Sequence, residues 1–201
     1  MSRAALSLDP GRPLDLAVPI TPLDHTLGGK RAQVTVVEYG DFACPLCRQA
    51  ASAVKLLLDH FEDRIRFVYR HFPQETFHPH ALRAAEAAEC AACQGYFWHM
   101  HDLLFAHQDH LQRRYLPHYA AALQLDIPRF TAELDDEIHR QRIREQMEGG
   151  RRSHLRATPG FYVNGMIVDV AFGMQSLLYA VATELDQSPS SRALGSSLES
   201  M

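Results

Sequence analysis

Two cysteines two residues apart, Cys44 and Cys47 in "GDFACPLCRQAAS" (residues 40–52), are the first candidates for chemistry in this chain. Such a pair can be a redox couple, half of a metal site, or two small buried side chains. The residues that follow have helical spacing, so Cys44 falls at a helix entry and Cys47 one turn further in. Unpaired N–H groups and the positive end of the helix dipole favour an anion there. A thiol so placed ionises at a pKa between about 3.5 and 7.5 instead of about 8.5. Pro45 suits the first turn, because it lacks an N–H that would be left unsatisfied. Read this way, Cys44 is an exposed nucleophile and Cys47 the thiol that resolves its bond.

A second CxxC, Cys90 and Cys93 in "AAECAACQGYFW", invites a four-cysteine zinc site. The 42 residues between the pairs (48–89) exceed the roughly 15–20 of zinc ribbons, and neither pair sits in a glycine-bearing knuckle. A disulfide within the pair is awkward as well. Neighbours three apart on a helix hold their Cβ atoms about 5–6 Å apart, and a bridge needs about 3.5–4.5 Å. The pair therefore reads as small side chains in close helix packing. There are 12 histidines, and His107 and His110 could share a helical face and a metal, but solvated helix faces explain them more simply. His78 and His80 flank Pro79 and read as capping or loop packing; Trp98 and Phe97 read as core. Arg48 could support a Cys44 thiolate from one turn away. No metal and no cofactor are expected.

The elements that must position these residues follow from periodicity. "QVTVVEY" (33–39) is a continuous β-branched run, as in a strand buried on both faces. "CPLCRQAASAVKLLLDHF" (44–61) carries Ala50, Ala53, Val54, Leu57, Leu58 and Phe61 along one helical stripe. "RIRFVYRHF" (64–72) is the next strand, and the three make a right-handed parallel βαβ unit. From His80 to about Gly149 the pattern is helical, with four or five helices and breaks near Gly95, Pro117, Pro128 and Gly149–Gly150. In "TPGFYVNGMIVDVAFG" (158–173), two β runs flank Asn164–Gly165, a hairpin signal because both turn positions need φ > 0. "MQSLLYAVATEL" (174–185) is a last helix. The order predicts an α/β fold, a mixed sheet with helices on both faces. Its parts are an N-terminal arm over 1–30, with Leu14–Ile20 as an edge strand, and a core of 31–79 and 150–186. A helical insertion over 80–149 and a disordered tail over 187–201 complete it.

A chain of 201 residues, 46% hydrophobic and 22% charged, suits one globular domain. A net charge of −4 argues against a nucleic-acid or anionic-membrane surface. No segment approaches the roughly 20 apolar residues of a membrane span. The N-terminus, interrupted by Asp9, Arg12 and Asp15, lacks the apolar core of a signal peptide. A cytoplasmic location is therefore expected, where thiols are kept reduced and a cysteine pair is catalytic or metal-binding rather than a structural bridge.

Together, "VTVVEYGDFACPLC", "HPHALRAAEAAECAACQGYFWHMHDLLF" and "ATPGFYVNG" resemble the DsbA-like branch of the thioredoxin superfamily, over roughly residues 22–186. The resemblance implies a thioredoxin-like mixed β-sheet with flanking helices and an all-helical insertion. It implies a CxxC site that exchanges disulfides with protein or peptide thiols and is served by a redox partner it does not identify. It implies Glu38 as a carboxylate beneath the pair, with a raised pKa that lets it relay the Cys47 proton. Pro159 is implied as a cis-proline facing the sulfurs, with Thr158 before it and the backbone of Ala157 free to pair with extended substrate. Two positions depart from the family. Leu46 stands where strongly oxidising members have histidine and offers the thiolate neither donor nor charge, which predicts a less acidic Cys44 and a less oxidising disulfide. Gly160 follows the proline where the family usually has threonine. Two other functions compete: a zinc-binding or redox-sensing module using Cys44, Cys47, Cys90 and Cys93, and a glutathione-dependent isomerase or transferase. The latter usually carry serine in place of the nucleophile.

Overall fold

The computed structural model describes residues 15–171 and 173–187. Five strands form one mixed sheet in the order β1 (His25–Gly28), β3 (Ile65–His71), β2 (Val34–Gly40), β4 (Gly160–Val163), β5 (Met166–Val168). β2 and β3 run parallel, Val34 opposite Ile65, and are joined by α1 (Pro45–Phe61). β1 is antiparallel to β3, and β4 is antiparallel to both β2 and β5. The hairpin between β4 and β5 turns at Asn164 (φ 48°) and Gly165 (φ 83°), as the Asn-Gly signal requires.

Side chains alternate across the sheet with the period of two that a strand imposes. Val34, Val36, Phe67, Phe161 and Val163 join the cluster that includes α1 and α7 (Gln175–Gln187). Val37, Tyr39, Val68 and Tyr162 join the other, with Ile143 and Met147 of α6 (Arg140–Arg152). Leu82 and Ala85 of α2 (Ala81–Ala92) close that second face. Burying each large apolar side chain contributes about 1.5–3 kcal/mol, so two covered faces hold the central strands firmly. Along α1 the buried stripe is Cys47, Ala50, Val54, Leu57 and Phe61; Ala53 and Leu58 are half-buried at its border.

Between β3 and β4 lie α2, α3 (Phe97–Ala106), α4 (Leu116–Ala122), α5 (Ile127–Asp135) and α6. Pro117 and Pro128 sit in the first turns of α4 and α5, so each proline opens a helix after the break. Gly149 and Gly150 do not break the chain; they lie inside α6. The reason is close packing. A Cβ on Gly150 would stand 2.7 Å from Cδ2 of Phe72, and one on Gly149 3.2 Å from the Tyr39 hydroxyl. Trp98 is half-buried rather than core, its Nε1 donating to the Thr26 carbonyl at 3.2 Å.

The edge strand expected over Leu14–Ile20 is not formed. Leu14 lies outside the described residues, and residues 15–20 have no strand structure. Their carbonyls go elsewhere: Arg70, buried on β3, donates to Val18 O (2.9 Å), Pro19 O (2.8 Å), the Tyr39 hydroxyl (3.1 Å) and both Asp24 carboxylate oxygens (2.8 and 2.9 Å). The sheet edge is taken by His25–Gly28 instead. The first 14 residues of the expected arm and residues 188–201 of the expected tail lie outside the described residues. Among the described residues, no helix is long and apolar enough to cross a membrane.

Candidate active site

β2 delivers the chain to a short loop, Asp41–Ala43, and α1 begins directly after it. Asp41 builds the loop. Its Oδ1 accepts from Ala43 N (2.8 Å), its carbonyl from Cys44 N (3.1 Å), and its Oδ2 from Gln74 N (2.9 Å), with His78 Nδ1 at 2.7 Å. Gln108 Nε2 donates to the carbonyls of Phe42 and Cys44, both at 2.8 Å. Phe42 anchors the loop in the core, its ring stacked on Tyr69 at 5.4 Å.

Cys44 is the N-cap of α1, with extended backbone (φ −80°, ψ 121°) and no side-chain cap. Its sulfur therefore takes the place an N-cap oxygen usually holds, facing the free amides of the first turn. Its pKa falls to about 5. The largest cause is a hydrogen bond from the Cys47 thiol; burial opposes it, and the Cys47 and Leu46 amides and Thr158 assist. Cys47 moves the opposite way, well above the usual thiol value. Burial dominates, followed by the bond it gives Cys44 and the charges of Glu38 and Cys44; the Asp41 amide, 3.4 Å from Sγ, opposes them. The sequence suggests an exposed Cys44, but the structure buries it to 6% because the Thr158–Pro159 loop lies over it. The Thr158–Pro159 peptide is cis, and the Thr158 carbonyl lies 3.4 Å from Cys44 Sγ, accepting from it while the thiol is protonated. Arg48 is exposed, and the groups that chiefly lower the Cys44 pKa are others.

Glu38 is buried on β2, and its Oε1 has no hydrogen-bond partner among the described residues. Burial, and then the charge of Cys44, push its pKa up to about 8. It also lines a cavity of about 260 Å³ with Lys55, Asp59, Trp98 and His101.

Beside the sulfurs runs a larger groove, of about 850 Å³, lined by Leu46, Ala157, Pro159, Val168 and Met174 among others. Ala157 is exposed, and its backbone has no hydrogen-bond partner among the described residues. Leu46 stands 58% exposed at the rim. The glycine after the proline has a local cause: a Cβ on Gly160 would fall 1.9 Å from Cδ1 of Leu155.

The structure thus brings Cys44, Cys47, Glu38, Thr158 and Pro159 to one place, with Ala157 at its border. Sequence reasoning missed Asp41, Gln74 and Gln108. Asp41 sits three residues before Cys44, so its nearness was a usable signal; the two glutamines come from distant loops and carry none. The other cysteines stand apart. Cys90 is buried with its pKa pushed up to about 12, chiefly by burial, whereas Cys93 is exposed; all four cysteines are free thiols. The four-cysteine site is not formed: among the described residues, no ligand cluster joins Cys44 or Cys47 to Cys90 or Cys93. His107 stacks on Tyr119 and His110 packs on Tyr115, so each imidazole has an aromatic neighbour of its own.

The thioredoxin family's sequence profile ("Thioredoxin") matches residues 21–181. Two curated relatives are sodium–proton antiporters: NhaA 1 of Salinispora arenicola, 46% identical over 183 residues, and NhaA 3 of Salinispora tropica, 45% identical over 181. Each alignment covers 90% of this chain and 28% of the relative, so the chain spans little more than a quarter of those proteins. Among solved structures, oxidised BdbD of Bacillus subtilis superposes with a TM-score of 0.71 at 25% identity, over 80% of this chain and 92% of BdbD. A thioredoxin-like oxidoreductase from Silicibacter pomeroyi gives 0.72 at 27% identity, over 81% of this chain and 92% of that one. The chain belongs to the thioredoxin family, within its DsbA-like branch of oxidoreductases, and has the thioredoxin-like fold.

Proposed function

We propose that this chain exchanges disulfides with protein substrates, Cys44 attacking and Cys47 resolving. The observation that carries the reading is the placement of the two sulfurs: Cys44 caps α1 beside the Thr158–Pro159 loop and Cys47 is buried one turn on, a geometry that lowers the pKa of the first and raises that of the second. The Cys44 thiolate attacks one sulfur of a substrate disulfide, forms a mixed disulfide and releases the other substrate sulfur as a thiolate, which takes up a proton. The Cys44 charge is then gone. That charge is one of the two causes holding the Glu38 proton, so Glu38 ionises more readily once the mixed disulfide forms and can accept the Cys47 proton. The Cys47 thiolate attacks Cys44 Sγ and frees the second substrate sulfur. The net change is one substrate disulfide reduced and one Cys44–Cys47 disulfide formed; the reverse sequence oxidises a dithiol. No cofactor enters either direction.

Substrate main chain would lie along Ala157 as a short added strand beside Thr158 and Pro159, its side chains over Leu46 and the groove behind it. A reducing compartment would favour net reduction of substrate, and an oxidising one the reverse. Insulin reduction followed by turbidity tests the reading: activity in the wild type, and loss to background in Cys44→Ser. Equal rates in the two proteins overturn it.

The similarity to part of two antiporters supports a second reading, in which the same reaction acts on cysteines of a membrane transporter. Cys47→Ser would then trap a mixed disulfide with an antiporter in membranes, identified by mass spectrometry. A trap recovering only water-soluble proteins counts against it.

A further inference from the structure

The second cysteine pair has companions that its sequence neighbourhood does not reveal. Cys90 is buried near the end of α2, and Cys93 stands exposed at that helix's C-cap, three residues on and so on the same side. Glu133 reaches them from α5, and His139 from the N-cap of α6. Cys90 Sγ, a Glu133 carboxylate oxygen and a His139 ring nitrogen all lie within 4.8 Å of one another. His139 Nε2 is 3.4 Å from Glu133 Oε2 and 3.7 Å from Cys93 Sγ. A tetrahedral zinc ion, bound at about 2.0–2.1 Å by nitrogen or oxygen and about 2.3 Å by sulfur, needs ligand atoms about 3.3–3.8 Å apart. Both of those contacts fall in that interval.

One proton cannot serve every contact in the cluster. His139 Nε2, which can donate one proton or accept one, contacts both Glu133 Oε2 and Cys93 Sγ, and the Cys90 sulfur lies close by. A cation at the centre satisfies all four groups. The charges also close: a divalent ion with two thiolates and one carboxylate sums to −1, and Arg129, whose Nε lies 2.7 Å from Glu133 Oε1, balances it. Two sulfurs and an imidazole select zinc over magnesium or calcium. The other three-ligand cluster, His25, His71 and Glu89, differs because it has no sulfur and its His25 Nε2, His71 Nε2 and Arg142 Nε all lie 3.0 Å from one oxygen, Glu89 Oε1, where hydrogen bonds account for them.

We infer that Cys90, Cys93, Glu133 and His139 form a structural zinc site that staples α2, α5 and the start of α6. Cys93 completes the set by rotating about χ1, which its exposed position leaves free. With four protein ligands the site is closed, as structural zinc sites are, and leaves no position for a substrate. This site shares no residue with the Cys44 pair, so the inference stands independently of the disulfide chemistry.

The test uses the full chain purified under reducing conditions without chelator. Wild type and Cys44→Ser are expected to carry one zinc per chain by elemental analysis. His139→Gln and Cys93→Ser, both outside the apolar core, should bind zinc at least about tenfold more weakly while keeping the wild-type circular dichroism. Cobalt(II) added to the stripped chain should give a thiolate charge-transfer band that is weaker in Cys93→Ser, which keeps only the Cys90 thiolate, and absent when Cys90 and Cys93 are both replaced by serine. Chelator should lower the wild-type Tm and leave that of His139→Gln unchanged. A chain that takes up neither metal at equimolar concentration overturns the inference. So does zinc that survives His139→Gln and Cys93→Ser, or zinc that disappears with Cys44→Ser.

Discussion

Cys44 and Cys47 are the same side chain three positions apart, and their protons are held at opposite ends of the scale. Amide groups and a donated hydrogen bond stabilise one sulfur as an anion; burial beneath it keeps the other neutral. A folded-state pKa of about 5, below the unfolded thiol value of about 8.5, adds stability to the reduced protein that is complete above the unfolded value and is lost as pH falls through 5. At pH 7 this amounts to about 3 kcal/mol. Denaturant unfolding of reduced wild type and Cys44→Ala should therefore show a stability difference that shrinks by about that amount between pH 7 and pH 4; a constant difference counts against an acidic Cys44. A pKa of about 5 lies between those of thioredoxin (about 7) and DsbA (about 3.5). The Cys44–Cys47 potential, measured against glutathione, is then expected between about −270 and −120 mV. Glu38 has the opposite sign. Its folded-state pKa of about 8 lies above the unfolded carboxyl value of about 4.3, so the protein loses stability as pH rises between those values. Glu38→Gln should gain a few kcal/mol relative to wild type at pH 7 and nothing at pH 4, while resolution of the mixed disulfide slows by about 100-fold. Unchanged resolution would remove Glu38 from the proton path.

Strands and helices were legible where a local pattern and the tertiary surroundings agree. The β-branched run of β2, the stripe of α1 and the Asn-Gly hairpin needed nothing from elsewhere in the chain. Gly149–Gly150 was misread because glycine weakens a helix by only about 1 kcal/mol, less than the packing of α6 against Tyr39 and Phe72 returns. The same geometry makes a sharp expectation. Gly150→Ala, which would stabilise an exposed helix, should destabilise this protein by about 1–3 kcal/mol through contact with Phe72. Phe72→Leu in the same chain should recover part of that loss. Equal stability of Gly150→Ala and wild type in urea would show that the ring yields freely. At the site, the cysteines were legible from their spacing at a helix entry, whereas the cis bond at Pro159 was legible only through the family resemblance. The supports of the Asp41 loop were not, since Gln74 and Gln108 arrive from 33 residues beyond Asp41 and 66 beyond Phe42. Glu133 and His139 were hidden for the same reason: they meet Cys90 only once three helices have packed.

The molecule as a whole is closed by its N-terminal segment, and Arg70 is the centre of that closure. Its guanidinium and the Asp24 carboxylate are both buried, so Arg70→Ala leaves an unpaired anion as well as two unclaimed carbonyls. A loss of about 3–5 kcal/mol is expected, with protease cutting appearing first between residues 15 and 24 rather than in the sheet; uniform digestion would contradict it. The same segment does one more thing at the far side of the sheet. Asp15 Oδ2 accepts from Ile167 N, and Leu16 N donates to the Gly165 carbonyl, both at 2.9 Å. β5 is the outermost strand, and these are ladder positions that a neighbouring chain could otherwise occupy. A fragment starting at Val18 should therefore self-associate edge to edge, with light scattering that rises with concentration, while the intact chain, whose rim is already claimed, stays apart from its copies.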